Sequence, residues 1–543
     1  MNNTNTTNNP VPKTIDSTLE KVTTDYLMTI DKNNPPSPNE IAATILQNTE
    51  HEFSAENAVR QASHYPKWPI PRSLAPSQIA DILLYLYPIV RIALAGEDGD
   101  TEYDVLGLYQ SSGDNLGLYS IDQEDFDRLI RKFKYTISSK EIQEVMSNLL
   151  TKADRKIRCA DEDLVAVNNG IFDFSKKVLL PFTPDCIFTA KSRVNYNPNA
   201  TNVIIHNDAD GTDWDVESWM KDLFDDPELE QLVWELISAI LRPNVPWNKS
   251  AWFISETGNN GKGTICSLMR SLTGRGTYTV IPLAKFSKDF MLEPLIKANV
   301  VIVDENSVGT YIDSADNLKA AITGDVIQVN RKFKTPVNFK FRGMLIECVN
   351  EVPRVKDRSP SLIRRLLLIP FRKCFTGMER KYIKEDYLKR KEVLEYVLYK
   401  VMHMDHYELS NPTECIHTME EFRLNNDPVA QFAEEILPEC KWDFLPNQFL
   451  YDIYLAWLRE NCPSSTPLNK TQFLRDLRRF LDTSKTWYAP KGARNVGHMM
   501  DRSEPLIAKY NLTNWFNPNY LGSDIDKRCH PEVPDSSRGI QRR

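Results

Sequence analysis

The chain has 543 residues, of which 41% are hydrophobic and 26% charged, with a formal net charge of -8. That length exceeds a single core and implies several domains of ordinary globular composition. No apolar run reaches the roughly eighteen residues of a membrane span and no charged-then-apolar leader opens the chain, so no membrane partner is expected. Nine cysteines without a C-x-x-C pair indicate reduced thiols in a cytoplasm rather than a disulfide frame or zinc site.

Residues 1–12 (MNNTNTTNNPVP) are polar and of low complexity, and read as a disordered tail. Short helical patterns over 13–76 end in a proline-spaced connector, YPKWPIPRSLAP. Over 77–200 the pattern predicts an α+β domain. Its elements are an apolar helix from Ile79 to Leu94, a hairpin of Val105 to Tyr109 with Leu116 to Ile121, two amphipathic helices (Gln123 to Lys134, Ser139 to Lys152) and the segment DLVAVNNGIFDFSKKVLLPFTP. Residues 201–247 read as a helical collar, with two helices broken at Asp226-Pro227 and an acidic run, Asp222 to Glu235, taken as a solvated face. His403 and His406 are expected at the surface of a helix end rather than as metal ligands.

Residues 248–375 alternate apolar strands with loops and helices, the pattern of an α/β domain. It opens with AWFISETGNNGKGTICSLMRSLTG, an apolar strand, a loop over Thr257, Gly258, Asn259, Asn260 and Gly261, and a helix beginning at Lys262. Backbone amides at such a helix start favour an anion, and the lysine points to a nucleotide phosphate. A Gly-Asn turn before a helix is also ordinary connector chemistry. Glu256 and Gly263 depart from G-x-x-x-x-G-K-[ST], with Thr264 one residue beyond the expected hydroxyl.

Downstream, NVVIVDEN predicts a strand buried on both faces and ending in Asp304 and Glu305. There Asp304 can hold Mg²⁺, directly or through water, and Glu305 can orient the attacking water. Next, VIQVNRKFKTPVNFKFR alternates with period two about a basic tip, an antiparallel hairpin carrying Arg331, Lys332, Phe333 and Lys334. Cations with an aromatic suit a phosphate backbone and a stacked base. GMLIECVN is a further buried strand ending in Asn350, which can sense a γ-phosphate, and the pair Arg364-Arg365 precedes LLLIPF. Despite the acidic total, basic residues gather over 317–342 and 353–373. After a helical connector over 376–421, residues 422–521 read as a small helical domain with amphipathic helices Phe449 to Asn461 and Lys470 to Leu481. Residues 522–543 are taken as a tail.

The order TGNNGKGT, VIVDEN, LKAAITGDVIQVNRKFK and the terminal Asn350 resembles the superfamily-three helicases of small viruses, phages and plasmids, in particular the branch of the satellite-phage and poxvirus primase-helicases. The resemblance implies a modified AAA+ P-loop domain at the centre, with a helicase-associated α+β domain before it and a winged-helix-like domain after it. It implies ATP and Mg²⁺ as cofactors, a hexameric ring moving 3′-to-5′ on single-stranded or forked DNA, and the cytoplasm of a bacterial host. By motif position Lys262, Asp304, Glu305 and Asn350 act in cis, Lys319 and Arg364 or Arg365 in a neighbour's site, and Lys332 and Lys334 in the channel. Arg475, Arg478 and Arg479 would face DNA from the last domain. No paired acidic metal site marks the first 170 residues as a primase, so a separate primase is expected. A DNA-binding initiator or scaffold that uses ATP only to assemble is the alternative.

Overall fold

Three helices open the chain, Ile15–Leu27, Pro38–Ala62 and Pro76–Leu86. They belong to a computed structural model that describes residues 13–543 except 98, 256, 289, 308–309, 313, 333, 352, 356–358, 462–466, 483 and 533. The expected tail over 1–12 lies outside the described residues. Thr14 and Ser37 cap the first two helices through side-chain oxygens that accept from Ser17 N and Glu40 N. Their apolar stripes feed one core, in which Leu27, Ile41, Ile45 and Leu74 join Ile79, Leu83, Phe126, Val145 and Leu149. Residue 76 is therefore not a domain boundary.

The third helix stops at Leu86 instead of running to Leu94. Pro88 has no amide with which to continue the ladder and pushes Tyr87 toward extended backbone. Ile89–Ala93 is a strand instead, antiparallel to Val105–Tyr109 and parallel to Arg155–Ile157. Val105–Tyr109 pairs in turn with Tyr119–Ser120, and a three-stranded meander of Leu164–Val167, Gly170–Asp173 and Val178–Leu180 follows. The helices Val216–Leu223 and Pro227–Leu241 are capped by Asp215 and Asp226. The acidic run is not wholly solvated, because Glu235 is buried and accepts from Ser410 N at 2.8 Å.

A parallel five-stranded sheet holds the centre. Its spatial order is Leu366–Pro370, Ser250–Ile254, Met344–Val349, Val300–Val303, Tyr278–Thr279. Every residue of the first four is buried, which explains their nearly unbroken apolar sequence. Between Val300–Val303 and Met344–Val349 the chain leaves the sheet to form the helix Asp316–Thr323 and then an antiparallel hairpin, Val326–Arg331 with Lys334–Lys340. Period-two alternation buries Ile327, Val329, Val337 and Phe339 along one hairpin face. His403 and His406, at the end of the helix Lys391–Met402, are half-buried rather than on the surface, and His406 packs on Trp247.

The chain divides into two compact units, one reaching Pro412 and one of Thr413–Arg543. In the second, the helix Pro428–Ile436, strand Phe444–Pro446, helices Asn447–Asn461 and Lys470–Leu481, strand Trp487–Tyr488 and strand Gly539–Arg542 follow in order. The sheet is antiparallel with Gly539–Arg542 in the middle. Residues 522–543 are thus not a tail, because their last strand is the one both others pair with. Only glycine fits at 539, where a Cβ would meet Leu445 O at 2.0 Å.

Candidate phosphate site and basic hairpin

The glycine-rich loop lies at the C-terminal edge of the parallel sheet, between Ser250–Ile254 and the helix Lys262–Thr273. Gly261 turns the chain into that helix at φ 89°, a left-handed conformation. Asn260, 5% exposed, braces the loop from inside, donating to Thr257 O and accepting from Lys262 N at 3.2 Å. Thr257, Gly258 and Asn259 are exposed above it, and Gly263 and Thr264 are half-buried in the first helical turn. Glu256 lies outside the described residues.

Lys262 is 4% exposed. Its ammonium donates to Asn350 Oδ1 at 3.0 Å and to Ser255 O at 3.5 Å, and among the described residues no carboxylate pairs with it. Burial pushes its pKa down, with the charge of Glu305 pulling the other way. A buried cation held by such neutral acceptors, at the positive end of a helix, is compensated when an anion binds. The residues present therefore fit a phosphate group.

Asp304 and Glu305 follow Val300–Val303 and are both exposed at this edge of the sheet. They face different ways. Arg270 Nη1 donates to Asp304 Oδ2 at 2.5 Å and Nη2 to Ile302 O at 3.2 Å; Arg270 stands about 12 Å along the helix from Lys262. Glu305 is the acid whose charge acts on Lys262.

Asn306, next in sequence, anchors the pair. Its backbone N and Nδ2 donate to Cys348 O at 3.0 and 3.1 Å, and Nδ2 also donates to Glu347 Oε2 at 2.9 Å. Its Oδ1 accepts from Leu283 N at 2.9 Å. Glu347 is fully buried with Oε1 unpartnered, and burial raises its pKa well above the carboxylate range. Sequence reasoning passed over Arg270, Asn306 and Glu347. The available signal was the acid itself, an ionisable residue within the apolar run MLIECV.

Three candidates lie away from the loop. Lys319, on Asp316–Thr323, pairs with Asp316 at 3.0 Å. Arg364 and Arg365 precede Leu366–Pro370 and so occupy the opposite, N-terminal edge of the sheet. Arg364 is exposed, whereas Arg365 folds back to donate to Ser361 O at 2.6 Å.

At the hairpin tip Lys332 is exposed and Arg331 half-buried. Phe333 and the side chain of Lys334 lie outside the described residues. The base is clamped to the N-terminal region: Lys340 N donates to Leu94 O at 3.1 Å, Arg158 Nη2 to Lys340 O at 2.5 Å, and Arg342 Nη1 to Cys159 O at 2.7 Å. The turn Glu293–Ile296 packs on Val326–Arg331. Just before it, Phe290 is 55% exposed at φ 62°, beside exposed Met291. An aromatic held in the left-handed region and in water is costly, and sequence reasoning had not singled it out. In the second unit Arg475, Arg478 and Arg479 are exposed on Lys470–Leu481, whose Phe473, Leu477 and Leu481 are buried.

Three family models match the chain. One described as D5 N terminal like matches residues 78–235, a family of unknown function (DUF5906) residues 253–365, and one described as Poxvirus D5 protein-like residues 424–502. Replication protein E1 of Human papillomavirus 39 is 34% identical over 129 residues, 23% of this chain and 19% of that protein. Replication protein E1 of Human papillomavirus type 70 is 33% identical over 131 residues, with the same two shares. The chain thus spans about a fifth of these curated relatives. Among solved structures, the A form apo structure of the NrS-1 C terminal region aligns with a TM-score of 0.44 at 12% identity, covering 87% of this chain and 100% of that one.

Proposed function

We propose that this chain, which belongs to the superfamily-three, primase-helicase-like replication proteins, is an ATP-dependent replicative DNA helicase of a phage, plasmid or mobile element. The observation that carries the proposal is the buried Lys262 ammonium, bonded to Asn350 Oδ1 and paired with no carboxylate among the described residues. In this reading the amides of 258–263 and Lys262 bind the β- and γ-phosphates, and Asn350 couples the γ-phosphate to the neighbouring strand. Glu305 orients the water that attacks it. Asp304, with Thr264, would hold Mg²⁺, which when bound neutralises charge between the β- and γ-phosphates.

The strand order about the loop supports a modified AAA+ core. Arg364, exposed at the far edge of the sheet, and Lys319 suit a neighbouring subunit's nucleotide, as in a hexameric ring. The hairpin with Arg331, Lys332 and Lys334 suits single-stranded DNA in the channel, with Phe290 as a stacking surface beside it. The helix–strand–helix–helix–strand–strand order of the second unit supports a winged helix that presents Arg475, Arg478 and Arg479 to DNA. Movement 3′-to-5′ and a separate priming partner complete the reading.

Displacement of a labelled strand from a forked duplex tests it. The wild type is expected to displace the strand with ATP and to hydrolyse ATP faster with single-stranded DNA. Lys262→Ala should do neither, and Glu305→Gln should bind ATP without turning it over. DNA-stimulated hydrolysis without displacement would favour an initiator or scaffold that uses ATP to assemble.

A further inference from the structure

Gly263 stands where the usual phosphate loop carries a hydroxyl, and the space above it is occupied. A Cβ at 263 would lie 3.4 Å from the Nζ of Lys384. Lys384 belongs to the short helix Lys381–Glu385, beyond the last strand of the parallel sheet, and is exposed. It makes no ion pair with a carboxylate among the described residues.

The chain arrives there by way of a clamp on the loop. Phe375 N donates to Asn259 O at 2.8 Å, and Asn259 Nδ2 donates to Glu379 Oε1 at 2.8 Å and to Thr376 Oγ1 at 3.3 Å. Gly377 N closes the clamp on Glu379 Oε2 at 3.0 Å. Ile383, beside Lys384, is buried and fixes the short helix. The segment from Phe375 to Glu379 is therefore tied to the loop, and the position of Lys384 over Gly263 follows from that attachment.

The Lys384 ammonium thus comes to the residue next to Lys262 at one helix start, and among the described residues neither lysine has a carboxylate partner. A helix start of this kind favours an anion, and a second cation beside it adds to that field.

We propose that Lys384 is a second cis cation of the phosphate site, binding the terminal phosphate of a nucleoside triphosphate opposite Lys262. The inference rests on the nucleotide reading of the loop. It means that the segment after the parallel sheet completes the site, and that the missing hydroxyl at 263 is replaced by a charge.

The test compares binding of fluorescent ATP and ADP analogues to the full chain, without and with Mg²⁺. Lys384→Ala should weaken the triphosphate about tenfold, the scale of one charge-assisted hydrogen bond, and the diphosphate less than about twofold. Lys384→Arg should restore triphosphate binding to within about twofold, and the melting temperature should not move, because the side chain is exposed. Wild-type triphosphate affinity in Lys384→Ala would overturn the inference while leaving the nucleotide reading intact. Equal loss of both nucleotides would overturn the assignment to the terminal phosphate. If the wild type bound neither analogue, this inference and the reading beneath it would fall together.

Discussion

Arg270 holds Asp304 by an ion pair of 2.5 Å, two helical turns away from Lys262. The side chains are 21% and 41% exposed, so solvent screens the pair and exchange of partners costs little. An acid engaged there must leave Arg270 to serve a metal near the loop. Arg270→Ala is therefore expected to lower the Mg²⁺ concentration for half-maximal ATP turnover by roughly threefold, as charge competition at a screened site allows. Asp304→Asn should remove magnesium-dependent turnover. A magnesium titration of steady-state hydrolysis reads both, and an unchanged midpoint in Arg270→Ala would show that the ion pair persists in the working site.

Glu347 makes stability depend on pH in an unusual direction. Its folded pKa is raised by burial, so the folded chain holds a proton that the unfolded chain releases above its ordinary pKa of about 4.3. The stabilisation is fully present below that value and is lost as pH rises toward the folded pKa. Glu347→Gln keeps an acceptor for Asn306 Nδ2 and removes the titration. The melting temperature of the variant should gain on the wild type from pH 5 to 8, at about 1 °C per kcal/mol for a unit reaching Pro412. Parallel curves would mean that Glu347 does not titrate in that window.

The hairpin reading separates hydrolysis from movement. Lys332→Ala with Lys334→Ala should abolish strand displacement while leaving basal ATP hydrolysis, and should flatten the log-log salt dependence of single-strand binding by about 0.7 per lost phosphate contact. Phe290→Ala should weaken single-strand binding about tenfold, the loss of one stacked base, without changing that slope. Displacement at wild-type rate by the double lysine variant would exclude the hairpin as the moving part.

Removing residues 539–543 takes out the strand that both Phe444–Pro446 and Trp487–Tyr488 pair with. Limited proteolysis should then degrade the region from 413 onward while the unit ending at Pro412 persists, since each has its own core. A truncated chain that resists protease throughout would show that the short strand is dispensable.

Much of the centre was legible because its period is simple. VVIV and LLLIP could only be buried strands, and the alternation from Val326 to Arg342 gave the hairpin its faces. Where the sequence misled, a local rule yielded to a distant one. Ile79 to Leu94 is apolar throughout, and only Pro88 marks where helix gives way to strand. Gly539–Arg542 is four residues long and finds its partners about 50 and 95 positions upstream, a distance no window spans. The placement of Lys384 over Gly263 depends on a loop clamp that has no periodicity at all.

If the hairpin moves as the proposed helicase reading has it, the clamp of Lys340 and Arg342 on Leu94, Arg158 and Cys159 would make the N-terminal region a fulcrum. Lys334–Lys340 spans roughly 20 Å at about 3.3 Å per residue, and that is the length of the lever arm. A rotation of about 10° at the fulcrum carries the far end roughly 3.5 Å, close to the 3.4 Å that separates successive bases along one strand. In the proposed helicase reading, a stroke of one base step would need no sliding of the hairpin against its mount.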